Sequence, residues 1–557
     1  MASNALSYDI AIECFTRLYM KEKVYLLVLS LTVIFCAWLL RRLSRIGSRE
    51  RGLPPGPPTL PLIGNLHQFP MSFAHVKFME WAQVYGDIIS VKLGPQTVVV
   101  LSSPSLVREC IDLRSATTSD RPTLHIPKLL YDDNGEMSLA RYGPTWKAMR
   151  RAARDILSHE ACMKHLPIQH AEAGQLMYDL LEHPKEFYTH IYRYSASVIF
   201  SVVAGIHCSQ FEGSVVEDLD SMLRQLEYIL RPGGSPPVDL IPLLKYIPSR
   251  WALWKTKAKE VRAVQEKLFF GILDHCVDRI KREKRNDCFL EYVLDHQSHY
   301  GLDYRQMAYL GGTLFMAGAD TTAVFLRWFI ACMVTYPDIQ KRAQQEVDEV
   351  IGLDKSPVLD DIEKLPYLRA IIKEVHRFRP ITPTAVPHSA TADERVGDFL
   401  IPKGATIFMN VWAIYHHEDY FDNPELFNPE RYIRSEHGAK PGVDTTGLRD
   451  DLMFGGGRRI CPGSHLASNS IFLNTMDFLW AFKFQPATDE VTGLPIPIDL
   501  NSYNGALIGS PTPFQCEIIP RSEAKAGMIR EQFAAASPTF ELFEQHTSLQ
   551  DKPDDGA

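Results

Sequence analysis

Four of the ten residues in Phe454-Gly-Gly-Gly-Arg-Arg-Ile-Cys-Pro-Gly463 are glycine, and they surround a single cysteine. Glycine costs backbone entropy, so such density belongs where a chain turns sharply or comes close to another group. The residues that follow, Ser464–Phe482, carry a helical pattern. The string therefore reads as a tight loop that presents Cys461 at the N-terminus of a helix. Backbone N–H groups there favour the anionic sulfur, and Arg459 adds positive charge nearby. Taken alone, the same residues also describe a buried structural cysteine in a turn.

The other cysteines do not point to a disulfide framework or a zinc site. Ten are scattered along the 557 residues, no two form C-x-x-C, and there is no Asn-x-Ser/Thr sequon. The body of the protein is expected to be cytosolic. A net charge of -8 gives no reason to expect nucleic acid as a partner.

Val24–Leu40 is apolar except for Ser30 and Thr32. As a helix it spans ~25 Å, the short end of what crosses a bilayer. A buried core helix and a cleaved signal peptide are the alternatives. Arg41 and Arg42 follow directly with no small-residue cleavage site, which disfavours the signal peptide. Arg41, Arg42, Arg45, Arg49 and Arg51 outnumber Arg17, Lys21 and Lys23 on the other side, which places the C-terminal bulk in the cytosol. Leu53–Asn65 is then a stiff proline-rich spacer.

Ile88–Leu101, β-branched and interrupted at Gly94-Pro95, predicts a β-hairpin. Residues 145–380 read mostly as helix, with loops at Arg231–Pro237 and Asn286–Asp287. One long apolar helix is expected from Asp303 to Thr335, ended by Pro337. Short β signals return at Val396–Ile401 and Phe514–Ile519, and the polar tail after Arg521 carries no readable motif. The expected class is mainly α with a small β region, α+β.

The string F-x-x-G-x-R-x-C-x-G is complete in Phe454–Gly463, and in this the chain resembles the cytochrome P-450 family. Further motifs stand in the family's order. Glu374-Val-His-Arg377 looks like its E-x-x-R helix, and Arg431 in Asn428-Pro-Glu-Arg-Tyr432 looks like the arginine that joins that pair. The resemblance gives Glu374, Arg377 and Arg431 a structural role. Met316–Thr322 resembles the oxygen-activating segment. Ala317, Gly318 and Thr321 share one stripe of a helix and leave room for dioxygen, while Asp320 and Thr321 form a proton relay. Trp146-Lys-Ala-Met-Arg150 looks like W-x-x-x-R, whose indole and guanidinium donate to a haem propionate. His388 and, more weakly, Arg121 stand as further propionate donors.

The resemblance spans about Leu53 to Arg521. It implies a single helix-rich domain, although 557 residues alone suggest two. The expected organisation is a lumenal segment at 1–23, an anchor at 24–40, a basic and proline-rich linker at 41–65, a haem-thiolate catalytic domain at 66–521 and a polar tail at 522–557. The implied cofactor is haem b, with Cys461 as axial ligand to iron. The implied reaction inserts one atom of O2 into a small apolar organic substrate. Electrons come from NADPH through a separate reductase, with cytochrome b5 as a second donor, and Lys147, Arg151 and Arg154 are candidates for the docking face. The likeness to fungal microsomal members implies the endoplasmic reticulum membrane and secondary-metabolite tailoring. Xenobiotic oxidation, a haem-thiolate isomerase or dehydratase, and a non-catalytic haem protein are the rivals. Leu124 to Leu130, Leu310, Leu314, Ala317, Ile381 to Val386 and Leu507–Ile508 are candidates for the substrate lining.

Overall fold

Neither proline nor glycine occurs between Ala2 and Arg45, and helix α1 runs through all of that stretch in the computed structural model, which describes residues 2–132, 135–231 and 233–545. The segment at 1–23 is therefore, from Ala2 onward, continuous with the apolar run. Tyr19–Arg42 has a mean hydropathy of 2.2 and is not buried against the body, so it is a candidate transmembrane span. Lys23 lies over Tyr19 and Arg42 over Trp38, which puts an aromatic–basic pair at each end of the span.

The body is built mainly from helices. Those that position the site are α2 (Pro144–Leu157), α3 (Leu166–Glu182), α4 (Phe187–Ala204), α5 (Val215–Leu230), α6 (Leu253–Lys281), α7 (Phe289–Asp295), α8 (Tyr304–Thr335), α9 (Pro366–Phe378), α10 (Ser464–Ala481) and α11 (Glu523–Phe540). Helix α8 starts within a residue of expectation. Asp303 accepts from the Gln306 backbone at 2.7 Å while Gln306 accepts from the Asp303 backbone at 3.0 Å, a capping box. It is also long and apolar, but most of it is buried inside the body, where it packs against α4. A helix apolar all round is a core helix when protein surrounds it.

The predicted hairpin is present as β1 (Ile88–Leu93) and β2 (Gln96–Leu101), with Val91 opposite Val98. With β3 (His388–Ser389) and β4 (Thr406–Met409) it makes a sheet of order β1-β2-β4-β3, in which only β2 and β4 run parallel. Glu394–Val396 pairs with Phe399–Ile401, and Cys516–Pro520 pairs with Phe482–Pro486, near the two β signals expected from sequence.

The C-terminal segment differs from expectation. Residues 523–540 are not a plain polar tail but helix α11, capped by Ser522 and packed on α3 through buried Ala526, Ile529 and Phe540. Phe540 stacks on His207 at 4.1 Å. The polar composition hid a narrow apolar stripe. The Asp-Lys-Pro-Asp-Asp run at 551–555 lies outside the described residues.

One buried ionic cluster ties the helices to the irregular chain beyond them. Glu374 receives Arg377 at 2.8 and 2.9 Å, Arg431 at 3.1 Å and the Asn428 backbone at 2.8 Å. Arg377 and Arg431 spend their remaining donors on the carbonyls of Tyr415, Asp422, Asn423 and Leu426. All three charged side chains are almost fully buried. Arg377→Ala removes the bidentate partner of a buried carboxylate and leaves Oε2 unmet, so unfolding free energy in a denaturant titration is expected to fall by ~3–5 kcal/mol. Arg369→Ala, which removes an exposed pair with Glu363, is expected to cost under ~1 kcal/mol.

Candidate active site

Cys461 sits at the mouth of the loop the sequence predicts. Its backbone N–H donates to the Phe454 carbonyl at 2.8 Å, which closes the loop on itself. Gly457, at φ +56°, passes so close to the Ile111 carbonyl that a Cβ there would lie 2.3 Å from it. Asp112 holds the same loop by accepting from the Gly457 backbone at 2.8 Å. Burial pushes the Cys461 thiol above its ordinary range, against a backbone hydrogen bond from Gly463 and the charge of Arg150.

Arg459 is not the cation that the thiol feels. Its guanidinium donates to the carbonyls of Ser119, Met137 and Ala140 at 2.6–3.3 Å and lies 4.2 Å from the Trp146 ring centroid. It braces the walls of the site. Arg150, one turn after Trp146 on α2, reaches the Ile460 carbonyl beside Cys461. Arg459 lies two residues from the cysteine in sequence, but the direction of its side chain is a tertiary matter.

Cys461 opens into a cavity of about 300 Å³. Trp146, Arg150, Arg121, His388 and Arg459 line one part of it, and Ala317, Gly318 and Thr321 line another. Arg121 donates to the carbonyls of Ser138, Val386 and Pro387, each at 2.8 Å. Burial, then Arg459, lowers Arg121 to about 9. His388 Nδ1 is 2.9 Å from the Thr118 carbonyl, so that nitrogen carries the proton; burial, then Arg121, lowers the imidazole to about 3. Among the described residues no carboxylate lines the cavity, and none forms an ion pair with Arg121, Arg150 or Arg459. Three guanidinium groups without an acid, beside an otherwise apolar slot with a thiol on its wall, fit a flat apolar group that carries its own carboxylates and a thiolate-seeking metal. Haem has that chemistry.

The acid and the alcohol of α8 face different spaces. Thr321 lines the Cys461 cavity, with its Oγ1 donating to the Ala317 carbonyl at 2.8 Å. Thr322 lines it too. Asp320 lines a second cavity of about 400 Å³, shared with Tyr192, Asp220, Arg224 and Arg327. Burial pushes its carboxyl up, and Arg327 opposes that. The expected relay does not lie in one space; neighbouring side chains point about 100° apart around a helix.

Helix α4 supplies wall residues that the sequence reading missed: Ser195, Val198 and Ile199. Ser195 Oγ donates to the Gly318 carbonyl at 2.8 Å, and a Cβ on Gly318 would lie 2.8 Å from Ile199. Gly318 is therefore needed for the crossing of α4 over α8, not only for space above the cysteine. Nothing in the sequence pairs the two helices. Of the substrate-lining candidates, Leu314, Ala317, Ile381, Thr382, Ala385 and Val386 are on the cavity wall. Leu310 is in the core, Leu124 lines a separate shallow cavity, and Leu507 is half exposed.

A helix-rich body with a thiol-bearing slot and unpaired arginines defines a haem-thiolate class of protein. Comparison with known proteins makes it specific. The cytochrome P-450 family matches residues 54–500. A cytochrome P-450 monooxygenase of Armillaria gallica is 44% identical over 507 residues, covering 91% of this chain and 96% of its own. The monooxygenase macC of Penicillium terrestre is 35% identical over 92% of this chain and 96% of its own. A zebra fish cytochrome P-450 solved with progesterone superimposes with a TM-score of 0.67 at 26% identity, covering 80% of this chain and 99% of its own. The chain belongs to the cytochrome P-450 family and is an oxygen-incorporating oxidoreductase.

Gly318→Ala is expected to cost ~1–3 kcal/mol in thermal or denaturant unfolding, by overpacking. Ile199→Ala in the same chain should recover part of that. His376 also lines the cavity, its Nδ1 has no partner, and burial lowers it to about 3. Between pH 6.5 and 3 the unfolded state binds a proton there that the folded state does not. Stability of the haem-free protein is therefore lost as pH falls through that window, at up to ~1.4 kcal/mol per pH unit from this group. His376→Leu should flatten the acid limb of a stability–pH curve.

Proposed function

We propose that this protein hydroxylates a small apolar organic substrate with electrons from NADPH, passed on by a separate reductase. We place it on the endoplasmic reticulum membrane of a fungus, in the tailoring of a secondary metabolite. One observation carries the reading: Cys461, three arginines without acids and Thr321 converge on one cavity. Membrane seating is supported by α1 and by exposed Leu243, Tyr246, Trp251 and Leu253. The segment that carries these side chains lies against the N-terminal part of the body: Gln96 of β2 donates to the Asp239 carbonyl, and Gly233 lies against Met71.

Haem b, when bound, supplies one-electron redox chemistry and the activation of dioxygen. Cys461 would hold its iron through the thiolate sulfur. Trp146, Arg150 and Arg121 would donate to its carboxylates. His388, whose Nδ1–H is already given to Thr118, can donate from Nε2 only when protonated, so an anion there must raise its pKa. Thr321, released from the Ala317 carbonyl, passes a proton into the cavity from Oγ1. Asp320 collects that proton in the second cavity and hands it around the helix. Lys147, Arg151 and Arg154 are exposed on α2, about 90° around the helix from Trp146 and Arg150, and offer the reductase a basic surface. The apolar walls from α4 and α8 favour a neutral substrate.

Cys461→Ala and Thr321→Ala separate these roles. Reduced and exposed to carbon monoxide, the Cys461→Ala protein is expected to lack the red-shifted Soret band of a thiolate complex. Thr321→Ala is expected to keep haem and substrate binding and to lose product formation by ~10² or more, with NADPH consumed to peroxide or water. A retained Soret band removes Cys461 as ligand, and unchanged product per NADPH removes Thr321 from the relay.

A further inference from the structure

Away from the active site, α6 and the start of α7 bring two thiols together. Cys276 lies in α6 and Cys288 directly precedes α7; they are 0% and 4% exposed. The Cys276 thiol also lies 3.7 Å from the Ala204 carbonyl. Arg279 Nη2 lies 3.1 Å from Cys288 Sγ and 3.7 Å from Cys276 Sγ. That guanidinium is fixed from two further elements. Its Nε donates to Glu291 of α7 at 2.6 Å, and Nη2 also donates to the Ala204 carbonyl at the end of α4 at 2.8 Å. Two sulfurs thus share one immobilised cation, and monooxygenation uses neither.

We propose that Cys276 and Cys288 form a redox modification site, a dithiol that a peroxide converts to an intramolecular disulfide. Arg279 Nη2 stands closer to Cys288 Sγ than to Cys276 Sγ, and its charge favours the Cys288 thiolate against burial. Cys288 is therefore the attacking thiolate. Its sulfur displaces hydroxide from hydrogen peroxide and becomes a sulfenic acid. The Cys276 sulfur then attacks the sulfenic sulfur, an S–S bond forms, and the second oxygen leaves as hydroxide. The two thiol protons convert both hydroxides to water. Two thiols lose two electrons, and one peroxide gains them.

Access comes from the connecting loop. Arg282, Glu283 and Lys284 are exposed, and Glu283 and Asp287 hold φ values of +58° and +56° without being glycine. A loop under that strain opens at low cost relative to the helices on either side. The bridge encloses the eleven residues 277–287 and fastens the loop to α6.

The test uses the full-length holoenzyme without NADPH, treated with graded hydrogen peroxide at doses that leave the haem absorbance intact. Free thiols are then blocked, and the protein is digested without reductant for peptide mapping by mass spectrometry. The expected result is a cross-linked peptide pair carrying Cys276 and Cys288, abolished by dithiothreitol. In Cys276→Ala, a sulfenic-acid trap such as dimedone should label Cys288; in Cys288→Ala it should leave Cys276 unlabelled. Recovery of both residues as blocked free thiols, while other cysteines oxidise, overturns the site. So does a bridge from either cysteine to a third one. The wild-type map decides even if a variant fails to fold, and it does not depend on the substrate or the active-site roles.

Discussion

The buried Glu374 carboxylate is the constraint on which the rest depends. A carboxylate taken out of water is tolerable only if its lone pairs are met, and here two guanidinium groups and a backbone N–H meet them. Each arginine then needs acceptors, and it finds them in the carbonyls of residues 415–426. A long stretch of irregular chain is thereby fixed without secondary structure. Tyr415 passes the constraint on. Its hydroxyl donates to the Arg449 carbonyl at 3.0 Å and accepts from the Leu452 backbone at 3.1 Å. Arg449 in turn donates to the Gly455 carbonyl at 2.7 Å, which is already inside the cysteine loop. The position of Cys461 is set through this chain of hydrogen bonds.

The other half of the site is set by packing. Helices α4 and α8 are both buried over most of their surface, and they approach closely because Gly318 has no side chain under Ile199. That crossing brings Ser195, Val198 and Ile199 onto the wall above the cysteine. It also divides the space around α8 in two. Thr321 is left on the side of the thiol and Asp320 on the side of Arg327. An acid kept out of the apolar slot does not compete with the arginines for an incoming anion.

Much of this was legible in the residues themselves. The glycines around Cys461, the prolines after the apolar N-terminal run and the turn at Gly94-Pro95 act through local backbone geometry, which neighbours in sequence determine. Glu374 and Arg377 share a helix face by their spacing of three. Composition misled in two places. The polar residues after Arg521 concealed α11, whose stripe of Ala526, Ile529 and Phe540 is only visible once α3 provides a surface. Arg459 was credited with a charge on the thiol because it is near in sequence.

What the sequence by itself determined is the family, the mainly α class, the cysteine loop, the helices that carry the motifs and the candidate membrane span. Each follows from local periodicity or from a contiguous string. Tertiary structure alone decided that Arg150 and not Arg459 faces the thiol, that Asp320 and Thr321 open into different cavities, and that α4 walls the site. These depend on which way side chains point after distant helices have packed, and no periodicity encodes the partner of a buried helix face.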